Sequence, residues 1–191
     1  MIQSNMQSDI HYRIIQGFYG DRKAERANIP LMNHIDEGLI VLDKLGSPLI
    51  CKQAYCLHPV LQLNENLFPL LEDEYHIISE CDSRAVILAM EYRHQLNKYS
   101  SKRIFDSILH KGKLLATLRS TLIGTPYLRY CAVADKVQNR KDFLKYHYGT
   151  HERSDELHEY FGNWIYNILG LSDENYDDLV SAINCNDVSN A

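Results

Sequence analysis

Apolar positions recur at helical spacing through most of this chain, and the strict alternation that marks a half-buried strand is scarce. Ile10, Ile14, Ile15 and Phe18 predict a first helix, closed at Tyr19-Gly20-Asp21, where glycine admits the conformation that ends a helix. A loop then runs to Pro30. Ile35, Leu39, Ile40 and Leu42 predict a second helix over 32–45, stopped by Gly46 and carrying His34 near its start. Ser47-Pro48-Leu49 opens a third, with Ile50, Ala54, Tyr55 and Leu57 on its buried face. Its expected end is His58-Pro59, because a residue before proline is pushed away from helical geometry.

Further along, 64–73 reads as a connector and 74–96 as one or two helices broken near Cys81-Asp82-Ser83, with Asp82 or Ser83 as an N-cap. A turn at 99–102 precedes a helical stretch over 104–122, interrupted around Gly112 and ended by Gly124-Thr125-Pro126. The segment 127–146 carries Asp135 and Asn139, and 147–154 is a polar loop. Over 157–169, Phe161, Trp164, Ile165 and Ile168 form the apolar stripe of an amphipathic helix that Gly170 stops. No repeat or linker divides the chain. The expected architecture is one all-α domain over 10–170, preceded by a polar segment, 1–9, and followed by a partly disordered segment, 171–191, with a short helix at most.

Composition narrows the function classes. At 191 residues, 45% apolar and 24% charged, the chain can bury an ordinary globular core. A net charge of −5 and a pI near 6.0 argue against nucleic acid as a partner, while a local basic pocket for one nucleotide stays compatible with them. Five cysteines, an odd number without C-x-x-C spacing, read as free thiols of a reducing compartment. Residues 1–9 lack an apolar leader and no run approaches the length of a membrane span, so the expectation is a cytoplasmic protein without membrane contact. A homo-oligomer is compatible with all of this.

The chemistry concentrates at three places: His34 in PLMNHIDEGL, His58 in YCLHP, and Asp135 in ADKVQNR. Two imidazoles and a carboxylate are ligands that divalent Mn, Fe, Zn or Ni accept, and three such ligands leave positions for water and substrate. Pro59, directly after His58, supplies neither a side-chain ligand nor a backbone donor. Lys136 and Arg140 stand four apart and can share a helix face to neutralise phosphate. Asn139, four after Asp135, points the same way as the carboxylate, toward ribose, substrate or a ligating water. Asp36 and Glu37 read as solvated acids near a helix start, since the residue one full turn beyond His34 is Gly38.

Taken in order, Ile29-Pro30-Leu31-Met32-Asn33-His34, Leu57-His58-Pro59, Ala134-Asp135-Lys136 with Asn139, and Glu159-Tyr160-Phe161 resemble the hydrolase domain of the RelA/SpoT family, within the HD phosphohydrolase superfamily. The resemblance implies an HD-type helical domain in which His34, His58 and Asp135 hold a divalent metal, with Mn the first expectation. The implied substrate is a small phosphorylated nucleotide, (p)ppGpp or a relative. Arg26 stands near the place of a family arginine that stacks on the purine. The family's metal-binding aspartate is Pro59 here, and its water-activating acidic pair falls near Gln62 and Leu63, neither of which takes a proton. Two expectations follow: a metal-dependent nucleotide phosphohydrolase with an altered catalytic site, or a catalytically degenerate module that keeps the fold and binds a nucleotide or a protein.

Overall fold

Asp9 opens the first helix, α1 (Ile10–Tyr19), by accepting the backbone N–H of His11 at 2.9 Å, and Gly20 closes it at φ 51°, its own N–H donating to Gln16 O at 2.8 Å. The structure is a computed structural model that describes residues 6–25, 27–62, 78–97 and 108–187. Among the described residues the chain forms one all-α domain with no strand, as the hydrophobic pattern predicts, and with a single isolated bridge between Lys23 and Pro30.

Helix α2 (Met32–Lys44) and helix α3 (Leu49–Gln62) form an antiparallel pair. Gly46, at φ 63°, makes the turn between them: its N–H donates to Asp43 O at 2.9 Å while the N–H of Ser47 reaches Leu42 O at 3.0 Å. These two bonds satisfy carbonyls at the end of α2 and reverse the chain. The beginning of α2 therefore lies beside the end of α3. Contact between them is tight at Gly38, where a Cβ would overlap the ring and hydroxyl of the fully buried Tyr55. Gly38→Ala is expected to cost about 2–3 kcal/mol through overpacking, despite alanine's better helix propensity, and a urea titration checks it; an unchanged midpoint would refute the tight fit.

Helix α3 does not stop at His58 as the pre-proline rule predicts; it runs through Pro59 to Gln62. The carbonyl that Pro59 leaves without its helical donor, Tyr55 O, lies 2.6 Å from His58 Nδ1, so the interruption is satisfied by a side chain. Helix α4 (Ser83–Asn97) starts where expected, with Asp82 Oδ1 accepting the N–H of Arg84 at 2.9 Å. The backbone N–H of Asp82 donates to Nε2 of buried His11 at 3.1 Å, and Nδ1 of the same ring lies 2.6 Å from Asp9 Oδ1. One neutral imidazole thus ties the start of α1 to the start of α4.

Helix α5 (Ile108–Gly124) passes Gly112 without the expected interruption. Pro126, in the first turn of α6 (Pro126–Asp142), needs no helical acceptor for the N–H it lacks. α6 continues as a π-helical turn, Phe143–His147, closed by Tyr148 N–H to Phe143 O at 2.8 Å. Helix α7 (Ser154–Gly162) passes into a second such turn, Asn163–Ile168, and Gly170 at φ 66° follows. The expectation for the C-terminal segment is corrected. Residues after 170 include a full helix, α8 (Asp173–Asp187), whose Tyr176, Leu179 and Ile183 are buried at helical spacing, so the domain continues beyond 170.

The core lies between α3 and its neighbours α1 and α4 and along the contact of α2 with α6. Ile15, Ile35, Leu42, Leu57, Leu128, Trp164 and Ile165 are all removed from water, each side chain contributing on the order of 1.5–3 kcal/mol. Cys51, Cys56 and Cys131 are buried free thiols, Cys81 is partly buried and Cys185 is exposed. No described helix is long and apolar enough to cross a membrane. Arg26, Leu63, the connector 64–73 and the turn 99–102 lie outside the described residues.

Candidate metal centre

Antiparallel pairing of α2 and α3 brings His34, in the first turn of one, against His58, in the last turns of the other; α6 lays Asp135 beside both. His34 Nε2 and His58 Nε2 are 3.3 Å apart, and Asp135 Oδ1 lies 3.5 Å from the first and 3.8 Å from the second. Ligand atoms on one ion at bonds of about 2.1 Å stand roughly 3.0–3.6 Å from one another, so two of the three separations have the spacing of neighbours in one coordination shell and the third, His58 to Asp135 at 3.8 Å, is slightly longer. His58 and Asp135 are buried, whereas the His34 side chain is 20% exposed and marks the open side. The sequence-predicted trio is brought together.

Hydrogen bonds decide which nitrogen faces the centre. His34 Nδ1 lies 2.6 Å from Gln138 Oε1. The Gln138 amide is oriented by its Nε2, which donates to Glu37 Oε2 at 3.0 Å and Asp142 Oδ2 at 2.6 Å, both acceptors only. Oε1 must therefore receive a proton from His34 Nδ1. On His58 the partner of Nδ1 is the carbonyl of Tyr55, again an acceptor only. Each imidazole accordingly carries a proton on Nδ1 and turns Nε2 to the centre, the nitrogen with which it would bind metal, and the Tyr55 hydroxyl lies 3.3 Å from that of His34.

Electrostatics agree with this assignment. Burial, reinforced by the neighbouring His34, pushes the His58 imidazole down to about 4, which keeps it neutral at pH 7. Burial alone would raise the carboxyl of Asp135, yet Lys136, and His34 and His58 once acid protonates them, outweigh it and hold the group well below the carboxylate range. Asp135 Oδ2 pairs with Lys136 Nζ at 2.7 Å, Oδ1 accepts from Asn139 Nδ2 at 2.8 Å, and the Tyr92 hydroxyl also bonds the carboxylate. Burial opposes the charge on Lys136, but Asp135 and Tyr160 keep it protonated. Its amine sits 5.0 Å from the Trp164 ring.

Behind the trio lies a second layer of acids held by hydrogen bonds. Glu37 is 2% exposed, ion-paired with Lys141 and bonded by Asn33 Nδ2 at 2.9 Å, and Asp36 accepts the Tyr12 hydroxyl at 2.6 Å. Neither is a solvated acid, which corrects the expectation for both. The spacing contained the signal: Glu37 stands three after His34 and Gln138 three after Asp135, so each shares a helix face with a ligand and the two faces meet.

The cleft beside the trio has a volume of about 340 Å³ and is walled by Tyr19, Ile29, Pro59, Gln62, Lys136 and Asn139, among others. A second pocket of about 300 Å³ shares Ala24, Ile29, Asn139 and Asp142 with it and is floored by Phe143 and Phe161. Lys136 and Asn139 are thus at the cleft as expected, although both also hold Asp135. Arg140 is not a cleft residue. Its guanidinium is buried 4.3 Å from the Tyr176 ring and 5.2 Å from Tyr166, because a four-residue step overshoots one helical turn by about 40° and carries it toward α8. Comparison of the chain with family models, with curated proteins and with solved structures finds no match.

Proposed function

We propose that this chain is an HD-type, divalent-metal-dependent phosphohydrolase that acts on a small phosphorylated nucleotide in the cleft beside His34, His58 and Asp135. One observation supports it above the rest: two imidazole Nε2 atoms 3.3 Å apart, each ring fixed by a bond at its Nδ1, converge on an ionised carboxylate oxygen. A cation relieves that convergence. When bound, a divalent ion lowers the pKa of a coordinated water and polarises a phosphoryl oxygen. Gln138 and the Tyr55 carbonyl hold the imidazoles to their task, while Lys136 and Asn139 keep the carboxylate from swinging away. Phosphate would approach from the open side at His34, and the organic end of the ligand would meet the apolar wall at Phe143 and Phe161.

A role in binding without turnover is favoured by a different observation. The cleft carries Pro59 and Gln62 next to His58, neither of which takes a proton, and among its described lining the one carboxylate besides Asp135, that of Asp142, is engaged by Gln138 Nε2 at 2.6 Å and Lys141 Nζ at 3.1 Å. The two readings separate in one series. Chelator-treated protein is titrated calorimetrically with Mn, Zn and Ni, then assayed for phosphate release from a nucleotide panel that includes (p)ppGpp. One ion per chain, lost in His34→Ala, together with Mn-dependent release supports the hydrolase. Thermal stabilisation by a nucleotide without release supports the binder. Neither metal retention nor stabilisation would end both.

A further inference from the structure

We infer that Pro59 is a positioning residue: by withholding a backbone donor from Tyr55 O, it reserves that carbonyl for the His58 imidazole and so fixes which ring nitrogen faces the metal centre. The purpose of this device rests on the metal-binding reading above; its geometry does not.

In an uninterrupted helix the N–H of residue 59 donates to the carbonyl of residue 55. Proline has no N–H, its ring crowds that same carbonyl, and it is the costliest residue to place in a helix interior. Here it sits inside α3, with Val60 and Leu61 beyond it still helical and buried. Tyr55 O would be a buried acceptor without its donor. His58 Nδ1, at 2.6 Å, takes the place of the missing N–H. A carbonyl only accepts, so the proton resides on Nδ1 and Nε2 is bare. The ring is held further by Tyr55 and Tyr92, whose centroids lie 4.7 and 5.1 Å away.

Any other residue at 59 would bring a backbone N–H to share that carbonyl, weakening its hold on the imidazole, which could then carry its proton on Nε2 part of the time. From there, 3.3 Å from His34 Nε2 and 3.8 Å from Asp135 Oδ1, it would donate across the centre and satisfy the very atoms that await a cation. Proline next to His58 keeps the centre from closing on itself. What the sequence presents as a missing ligand is a constraint on the ligand beside it.

The test is Pro59→Ala in the full chain, with three measurements. Melting temperature should rise by about 3 °C or more as the helical bond forms, which separates any loss of affinity from unfolding. Mn affinity should fall about tenfold to a hundredfold, the range for removing a bond that orients a metal ligand. Long-range proton–nitrogen spectra of the metal-free protein should show His58 wholly as the Nδ1–H form in the wild type and as a mixture in the variant. A variant whose His58 remains wholly Nδ1–H overturns the inference, whatever its affinity. If the wild type retains no metal, the functional reading fails by itself, and the tautomer comparison alone decides the role of Pro59.

Discussion

Asp135→Asn is expected to abolish the metal centre and to cost about 3 kcal/mol of stability in the metal-free protein. The substitution keeps the shape of the side chain and removes its charge. Lys136, whose side chain is only 13% exposed, then faces Tyr160 and the Trp164 ring without the carboxylate that holds it protonated. Removing one partner of a buried pair leaves an uncompensated charge, and such losses run to about 3–5 kcal/mol. The new amide can also turn its NH₂ toward the bare Nε2 of His34, now 3.5 Å from Oδ1, and cap the lone pair that a cation needs. Loss of the one anionic ligand together with that capping should weaken Mn binding on the order of a hundredfold or more. Urea unfolding and calorimetry on the same preparation check both halves. Affinity within a few-fold of wild type would mean that the ion, if any, binds elsewhere.

Mild acid should weaken the metal-free fold well before ordinary carboxylates titrate. In the unfolded chain His58 takes a proton near 6.5, whereas in the fold burial and the adjacent His34 defer it to about 4. Between those values the unfolded state binds more protons, so stability falls as pH drops through the window and is fully present above it. At about 1.4 kcal/mol per pKa unit, the loss amounts to roughly 3 kcal/mol for this single group. Asp135, held below its usual range, adds a further loss at lower pH, below about 3.8, where its unfolded counterpart protonates. Denaturant midpoints at pH 7, 6, 5 and 4.5 for wild type and for His58→Gln test this. A wild-type slope no steeper than that of His58→Gln would show that His58 is not buried in its neutral form.

Much of the fold was legible because its signals are local. Gly20, Gly46 and Gly170 close helices where the hydrophobic period breaks, and Asp82 starts one where a cap was read. The three candidate ligands are legible as residue types in order, but their meeting depends on the antiparallel turn at Gly46 and on the approach of α6, which no local pattern encodes. The misses share a cause. Pro59 was read by backbone preference alone, and the carbonyl it leaves behind found a side-chain donor. Glu37 reads as a solvated acid from its place near a helix start, and burial against Gln138 and Lys141 overrides that. The pattern after 170 predicts a short helix at most, yet three apolar positions at the right spacing suffice once Arg140 and α2 supply the surface to pack on. Tertiary partners, not propensity, settled each of these.

The ligands come from α2, α3 and α6, which are separate stretches of chain, and this sets an order of events. On the proposed metal-binding reading, an ion would have nowhere to lodge on a nascent polypeptide until the third of these segments had been synthesised and docked, so loading would follow folding and not nucleate it. Departure need not wait for unfolding: the open side at His34 leads from the trio into the cleft, so on the proposed reading isotopic metal exchange would run without α6 parting from its neighbours.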